Sequence, residues 1–374
     1  AEAAHALGDF ANLPPDSLNT LAACLADPDG AVIFETRKSL AKLAATDLEA
    51  VIYSVAVLDD VADHECIWLM DEFKARPIPG LLQVLVKEFV SQDTRRRKRV
   101  ASMIYRAYEI HELIEQIPLL EKLDPALYAD VLLESGQCQD GFIEKQIAIA
   151  LMGLLSKPPD QIVDFLAYTA VPLNNDNEAH RNNSDMYCAA AALRLLQESK
   201  EYIARSILKR FGDVPINQYR VLRQLKNKPY SIFEIFREMA QRQPKEMLRL
   251  LTDVDFGRAW PDQYLAASLL SALELAKSPV WQALVDITLH KPDETVSEEA
   301  FNGLKILREH FPKSLRKEWA MLSYRLAKEL GSDHDFYNHD ASNMQVLRVK
   351  LLGLCPVFDL GVVALILALR DEYY

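Results

Sequence analysis

Glycine is scarce in this chain, with 12 among 374 residues, which leaves little material for the tight turns of β-hairpins. Ala, Leu, Glu, Lys, Gln and Arg fill the periodic segments instead, and these are strong helix formers. No stretch alternates apolar and polar residues between hairpin-type turns, so the sequence predicts an all-α protein. Cysteine is thin as well: Cys24, Cys66, Cys138, Cys188 and Cys355 lie far apart and never form a C-x-x-C pair. An odd count at such spacing argues against a disulfide framework or a zinc ribbon, and reads as reduced, mostly buried thiols of a cytosolic-type compartment. An excess of positive charge is missing too. The formal net charge is −12, whereas a protein that coats nucleic acid or an anionic membrane normally carries the opposite sign. G-x-x-x-x-G-K-[ST], G-x-G-x-x-G and G-x-S-x-G are all absent, so neither a phosphate-cradling loop nor a nucleophile elbow is in view, and no cofactor is predicted. The apolar run Gly361 to Leu369 is too short to span a bilayer. The start AEAAHALGDF has neither the basic head nor the apolar core of a signal peptide, and a chain beginning at Ala1 is compatible with a fragment.

What is present is helical periodicity. In 294–311, Val296, Ala300, Gly303, Leu304, Leu307 and Phe311 fall on one helical face; in 312–330, Leu315, Trp319, Leu322, Leu326 and Leu330 repeat the stripe. Pro312 stands between them, where it can start a helix but not lie within one. The spacing predicts a helical hairpin that cannot bury its own faces and needs neighbours of the same kind. A first hairpin is expected from a helix over 14–27, capped by Asp16 or Ser17, a D-P-D-G turn, and a return helix from Ala31.

A loose pattern then recurs. It reads Val32, Thr36, Ser39-Leu40, Leu43, and returns at Ile143, Ile147, Ala150-Leu151, Leu154, and at Leu265, Leu269, Ala272-Leu273, Ala276. Val296, Ala300, Gly303-Leu304, Leu307 is its cleanest copy; weaker ones start at Val100 and Val346. The anchors imply units of about 40 residues and roughly eight or nine hairpins. Such segments resemble HEAT or armadillo-type repeats, with DPDGAV at 27–32 and PDETV at 292–296 matching the turn and Val that open the second helix. The Arg that typically follows that Val is Ile33, Glu144 and Ser297 here, so the family's usual Asp–Arg ladder is not expected. The resemblance implies a right-handed α-α superhelix: one elongated repeat domain over 1–374, binding partners on a concave surface, with no catalytic residues. Polar runs at 172–185 and 331–343 interrupt the helices and are expected to be exposed loops. The apolar terminus 357–374 reads as a buried helix, or as a cap that docks a partner or a second copy.

Three constellations compete for a functional role. Arg95, Arg96, Arg97, Lys98 and Arg99 crowd a helix start, opposing its dipole. They read as a solvated first turn, as a dock for an acidic protein partner, as a nucleic-acid contact with Tyr105 and Tyr108, or as an import signal that would place the protein in the nucleus. A second group, Arg220, Arg223, Lys226, Lys228 and Arg237 with Tyr230, Phe233 and Phe236, holds the residue types enriched at interface hot spots, against a plain core-and-basic-face reading. Third, Asp60 and His64 could share a helix face as metal ligands, as could Asp333, His334, Asp335, His339 and Asp340 in a loop, but neither set is completed and ordinary polar segments have the same composition. The reading favoured is a non-enzymatic scaffold or adaptor that grips an acidic or helical protein segment through Arg95–Arg99, Arg220, Arg223 and Tyr230. The alternatives are a regulatory subunit of an oligomer, or a protein resembling the HEAT-like DNA alkylpurine glycosylases, for which Arg258, Trp260 and Asp262 would matter.

Overall fold

A computed structural model describes residues 1–10, 13–58, 63–76, 78–138, 141–171, 179–196, 200–211, 231–243, 278–290, 294–311, 315–330 and 339–355. Among these the chain is helical, with a single isolated bridge between Leu123 and Leu155 and no strand. Two compact units divide it. The first comprises residues 1–170 with 176–198, the second 171–175 with 199–374.

The first unit contains α1 (Glu2–Leu7), α2 (Pro15–Ala23), α3 (Gly30–Ala44), α4 (Leu48–Ala56), α5 (Asp63–Ala75), α6 (Leu81–Phe89), α7 (Thr94–Ala107), α8 (Ile110–Gln116), α9 (Pro125–Gln137), α10 (Phe142–Leu151), α11 (Asp160–Ala170) and α12 (Ala179–Leu195). Aspartates set several of the starts. Asp29, Asp47, Asp93 and Asp124 each accept a bond from a backbone N–H of the first turn, from Ala31, Ala50, Arg95 and Ala126 at 2.9, 3.0, 2.9 and 2.9 Å. Each satisfies a donor the helix cannot satisfy itself, worth about 1 kcal/mol. The expected cap at Asp16 or Ser17 is not used: α2 begins at Pro15, a residue preorganised for the first position.

Packing follows alternate helices. α3 lies against α1 and α5, α7 against α5 and α10, and α10 against α12, which makes one row; α2, α4 and α6 make another, and α9 and α11 back α10 and α12. The repeated apolar stripes supply the contacts. Thr36, Ser39, Leu40 and Leu43 of α3, Val100 and Ile104 of α7, and Ile147, Ala150 and Leu151 of α10 are all buried, while Val32 and Ile143 at the head of the pattern are half-buried.

The second unit contains α13 (Lys200–Phe211), α14 (Ile232–Arg242), α15 (Ser278–His290), α16 (Glu294–His310), α17 (Arg316–Leu330) and α18 (His339–Leu354). Val296, Ala300, Leu304 and Leu307 are buried as the stripe requires, and so are Trp319, Leu322 and Leu326. Their partners differ from expectation. α16 packs chiefly on α15, across the short 291–293 connection, and α17 packs on α18. Leu315, with φ 59°, precedes α17, so that helix starts past Pro312 and Leu315 is no part of its stripe. Within the described residues, α16 is therefore paired with the helix before it and not chiefly with the helix after it.

Two expected loops are partly helix. Residues 179–185 open α12 and 339–343 open α18. Asn and Asp weigh toward turns locally, but packing of α12 against α10 and α11 overrides that preference. Residues 172–178, 331–338 and 357–374 lie outside the described residues. Cys66, Cys188 and Cys355 are buried, Cys24 and Cys138 half-buried, and none of the five forms a disulfide. Burial holds the Cys188 thiol above its ordinary range and pushes Cys355 up to about 12, so both stay protonated and inert. No helix among the described residues is long and apolar enough to cross a membrane.

Candidate functional site

The basic run at the start of α7 does not form a single surface patch. Arg97 is 1% exposed. Its Nε donates to Glu144 at 3.3 Å, Nη1 to the carbonyls of Ser91 and Gln92 at 3.0 and 3.1 Å, and Nη2 to Thr94 at 3.2 Å and Glu134 at 3.0 Å. These contacts occupy the five donors a guanidinium offers, which is how a buried cation avoids a desolvation penalty of several kcal/mol. Arg99, also buried, donates from Nη1 to the carbonyls of Ala56 and Leu58 and so closes the C-terminal end of α4. Arg96 pairs with Glu88 and lies 4.8 Å from the Tyr53 ring centroid. Arg95 and Lys98 are exposed. The run joins α4, α6, α9 and α10 to α7, and its two interior members are not accessible to a partner. Arg220, Arg223 and Tyr230 lie outside the described residues, as do Asp60, Trp260 and Asp262. Phe233 and Phe236 are interior.

Polar side-chain links join neighbours along the row α1–α3–α5–α7–α10–α12, and those from α3 onward are ion pairs. His5 meets Glu35 at 2.9 Å, Arg37 meets Glu65 at 4.0 Å, and Arg106 grips both carboxylate oxygens of Asp71 at 2.8 Å. Arg97 meets Glu144, as above, and Lys145 meets Asp185 at 2.8 Å. The partner of Glu144 comes from the preceding helix of the row. Glu144 also accepts from the Ser135 hydroxyl at 3.1 Å. At the Arg37–Glu65 link, Glu65 Oε2 and Arg37 Nε are both buried without a hydrogen bond, so this contact is Coulombic only.

The same row exposes aromatic side chains. Phe34 of α3, Trp68 of α5, Tyr105 of α7 and Phe142 of α10 are each more than two-fifths exposed. Lys38 Nζ sits 3.9 Å from the Phe34 ring centroid, Arg37 lies 5.1 Å from that of Trp68, and His64 meets Trp68 edge-on at 5.2 Å. Beyond Trp68, a cleft of about 600 Å³ opens between α5, α7 and α10, with Ile67, Lys74, Tyr105, Phe142, Ile143 and Gln146 in its wall. Gln146 is 2% exposed, and its Nε2 has no hydrogen-bond partner. Lys74 is exposed and has no ion-pair partner among the described residues. A second cleft, of about 800 Å³, lies in the other unit between α15 and α17, where Met321 and Tyr324 are exposed and the buried Trp281 Nε1 is unpaired.

Phe34, Trp68 and Phe142 escaped the sequence reading, and Tyr105 entered it only as a companion of the basic run, for a definable reason. Tyr105 and Trp68 each adjoin a core position, Ile104 and Leu69, and a periodic stripe does not tell a residue beside the core from one in it. Tyr108 is half-buried, and that burial holds its hydroxyl above the ordinary range. The metal candidates gain nothing: His64 Nε2 lies 3.2 Å from Glu65, and no three ligand-type side chains converge among the described residues.

Neither family models nor curated proteins match this chain. Among solved structures it is similar to the crystal structure of an engineered protein, with a TM-score of 0.37 and 16% identity over 95% of this chain and 94% of that one. That likeness is too distant to carry an argument about fold or activity.

Proposed function

We propose that the chain is a divergent HEAT/armadillo-like solenoid that serves as a non-enzymatic protein-binding scaffold. The observation that carries this is the exposed aromatic face along α3, α5, α7 and α10. Trp, Tyr and Phe stand here on the outer side of a helix row whose interior is already filled, and these aromatic residue types are enriched at protein interfaces. Alternate-helix packing in the first unit supports the repeat reading. The direct test is affinity capture from the source organism's lysate with the intact chain beside a variant carrying Trp68→Ala, Tyr105→Ala and Phe142→Ala. Loss of a captured protein with helical circular dichroism unchanged is the expected result. Identical captures from both forms would move the binding function off this face.

A nucleic-acid-acting protein is the second reading. Burial of Arg97 and Arg99 removes the densest cationic patch from the surface, and the net charge is −12. A DNA shift assay that lost its signal steeply with added salt would revive it.

A further inference from the structure

Met321 and Tyr324, at 65% and 64%, are the most exposed large apolar side chains described in the second unit. Both line the α17 wall of its cleft with α15. The opposite side of α17 is already filled, since Trp319, Leu322 and Leu326 are buried there. Around Met321 the charges have a definite order. Glu318 stands one turn before it and Arg325 one turn after it, along one flank of the face, while Lys317 and Tyr324 share the other flank. A parallel copy of this face would set Glu318 against Glu318 and Arg325 against Arg325. An antiparallel copy, related by a two-fold axis near Met321, sets Glu318 level with Arg325 at both ends. The same register lays each Lys317 against the other copy's Tyr324, a cation–π pairing, and brings the two methionines together at the centre. The face is therefore complementary to itself, which is what a symmetric dimer interface requires.

We infer that the outer face of α17 binds a second copy of this chain, α17 against α17, in antiparallel register. Met321 and Tyr324 supply the apolar centre, and the Glu318–Arg325 pairs at the two ends fix orientation and register. This contact lies outside the aromatic row of the first unit and is independent of the scaffold reading.

Sedimentation equilibrium of the full chain tests it. The mass is expected to rise with concentration from one chain towards two, and Tyr324→Ser should weaken the association about tenfold. Glu318→Arg chains would face cation with cation at both ends, and Arg325→Glu chains carboxylate with carboxylate, so each should stay monomeric alone. An equimolar mixture of those two variants matches opposite charges at both ends again and should recover the dimer. Recovery on mixing separates a lost interface from a lost fold, because a misfolded chain is not repaired by its partner. A mass of one chain at every concentration would overturn the inference and leave the cleft to a foreign partner. Self-association indifferent to Tyr324→Ser and to both charge variants would overturn it by moving the contact to another surface. A mixture that stays monomeric would overturn the antiparallel register. None of these outcomes touches the capture through Trp68, Tyr105 and Phe142, so the two readings fail separately.

Discussion

The two rows of helices in the first unit hold together by different chemistry. Along α2–α4–α6 the contacts are Leu18, Leu21, Val51, Ile52, Val55, Leu82, Leu85 and Val86, all buried, and the ion pair between α4 and α6 that is described, Glu49 with Lys87, sits in solvent. Along α3–α5–α7–α10–α12 an ionic link crosses each step, and at α7–α10 it is fully interior. Apolar contact is forgiving of register, because a helix shifted by one turn still buries leucines. Paired charges are not, since a slip strands a carboxylate without its partner.

Breaking the polar row at its interior step should have the largest effect. Arg97→Met leaves Glu144 buried without a cation and frees the carbonyls of Ser91 and Gln92, at about 3–5 kcal/mol. Lys98→Met, one residue away and exposed, should stay within about 0.5 kcal/mol. Urea unfolding of the two variants side by side measures the difference, and equal midpoints would refute an ordering role for Arg97.

The apolar row is tested by Ile52→Ala, at a side chain with no exposure. Removing it costs about 2–5 kcal/mol through lost transfer energy and the cavity left behind. The contrast lies in rescue. Arg97→Met combined with Glu144→Leu removes both charges and should recover much of the single-variant loss, because buried ion pairs are often replaceable by apolar side chains of similar size. The Ile52 cavity has no such charge-removing rescue. A double variant no better than Arg97→Met alone would assign the stability to the Ser91 and Gln92 carbonyl bonds instead of the ion pair. A smaller effect, about 1 kcal/mol, is expected from Asp29→Ala, which removes the cap of α3.

The helices were legible in the sequence where a stripe had contrast. Trp319, Leu322 and Leu326 stand among Glu, Lys and Arg, and they are buried as the spacing requires. Arg97 had no such contrast: in a run of five cations every residue looks alike, and the partner Glu144 is 47 positions away. One cue was available. Continuing the Val100–Ile104 stripe one turn backward lands on position 97, so the face was readable even though its charge argued otherwise. The pairing of α16 with α15 leaves a sequence cue only in the PDETV segment that precedes α16, whereas Pro312 points to a hairpin with α17. The exposed aromatics were not legible, because exposure at Tyr105 and Phe142 is decided by how helices distant in sequence pack, and a single helix's period carries no trace of that.

The smallest effect belongs to the exposed pair of the apolar row, and it sharpens the contrast by its pH dependence. Glu49 accepts from Lys87 at 2.9 Å and holds the ammonium above the ordinary lysine value of 10.5. A raised folded-state value means the ion pair's contribution is complete below the unfolded value and disappears as pH rises through the folded one. The difference in melting temperature between the natural chain and Lys87→Gln should therefore be small and flat from neutral pH to about 10, and vanish above that range. Other groups titrate there too, but they titrate in both proteins and cancel in the difference. Salt should shrink the same gap, since exposed charges are screened within about 10 Å at 0.1 M ionic strength. The corresponding Arg97 difference should persist in salt, because an interior pair is poorly screened. A Lys87 gap that survived both treatments would show that its stem, packed along α6, contributes more than its charge.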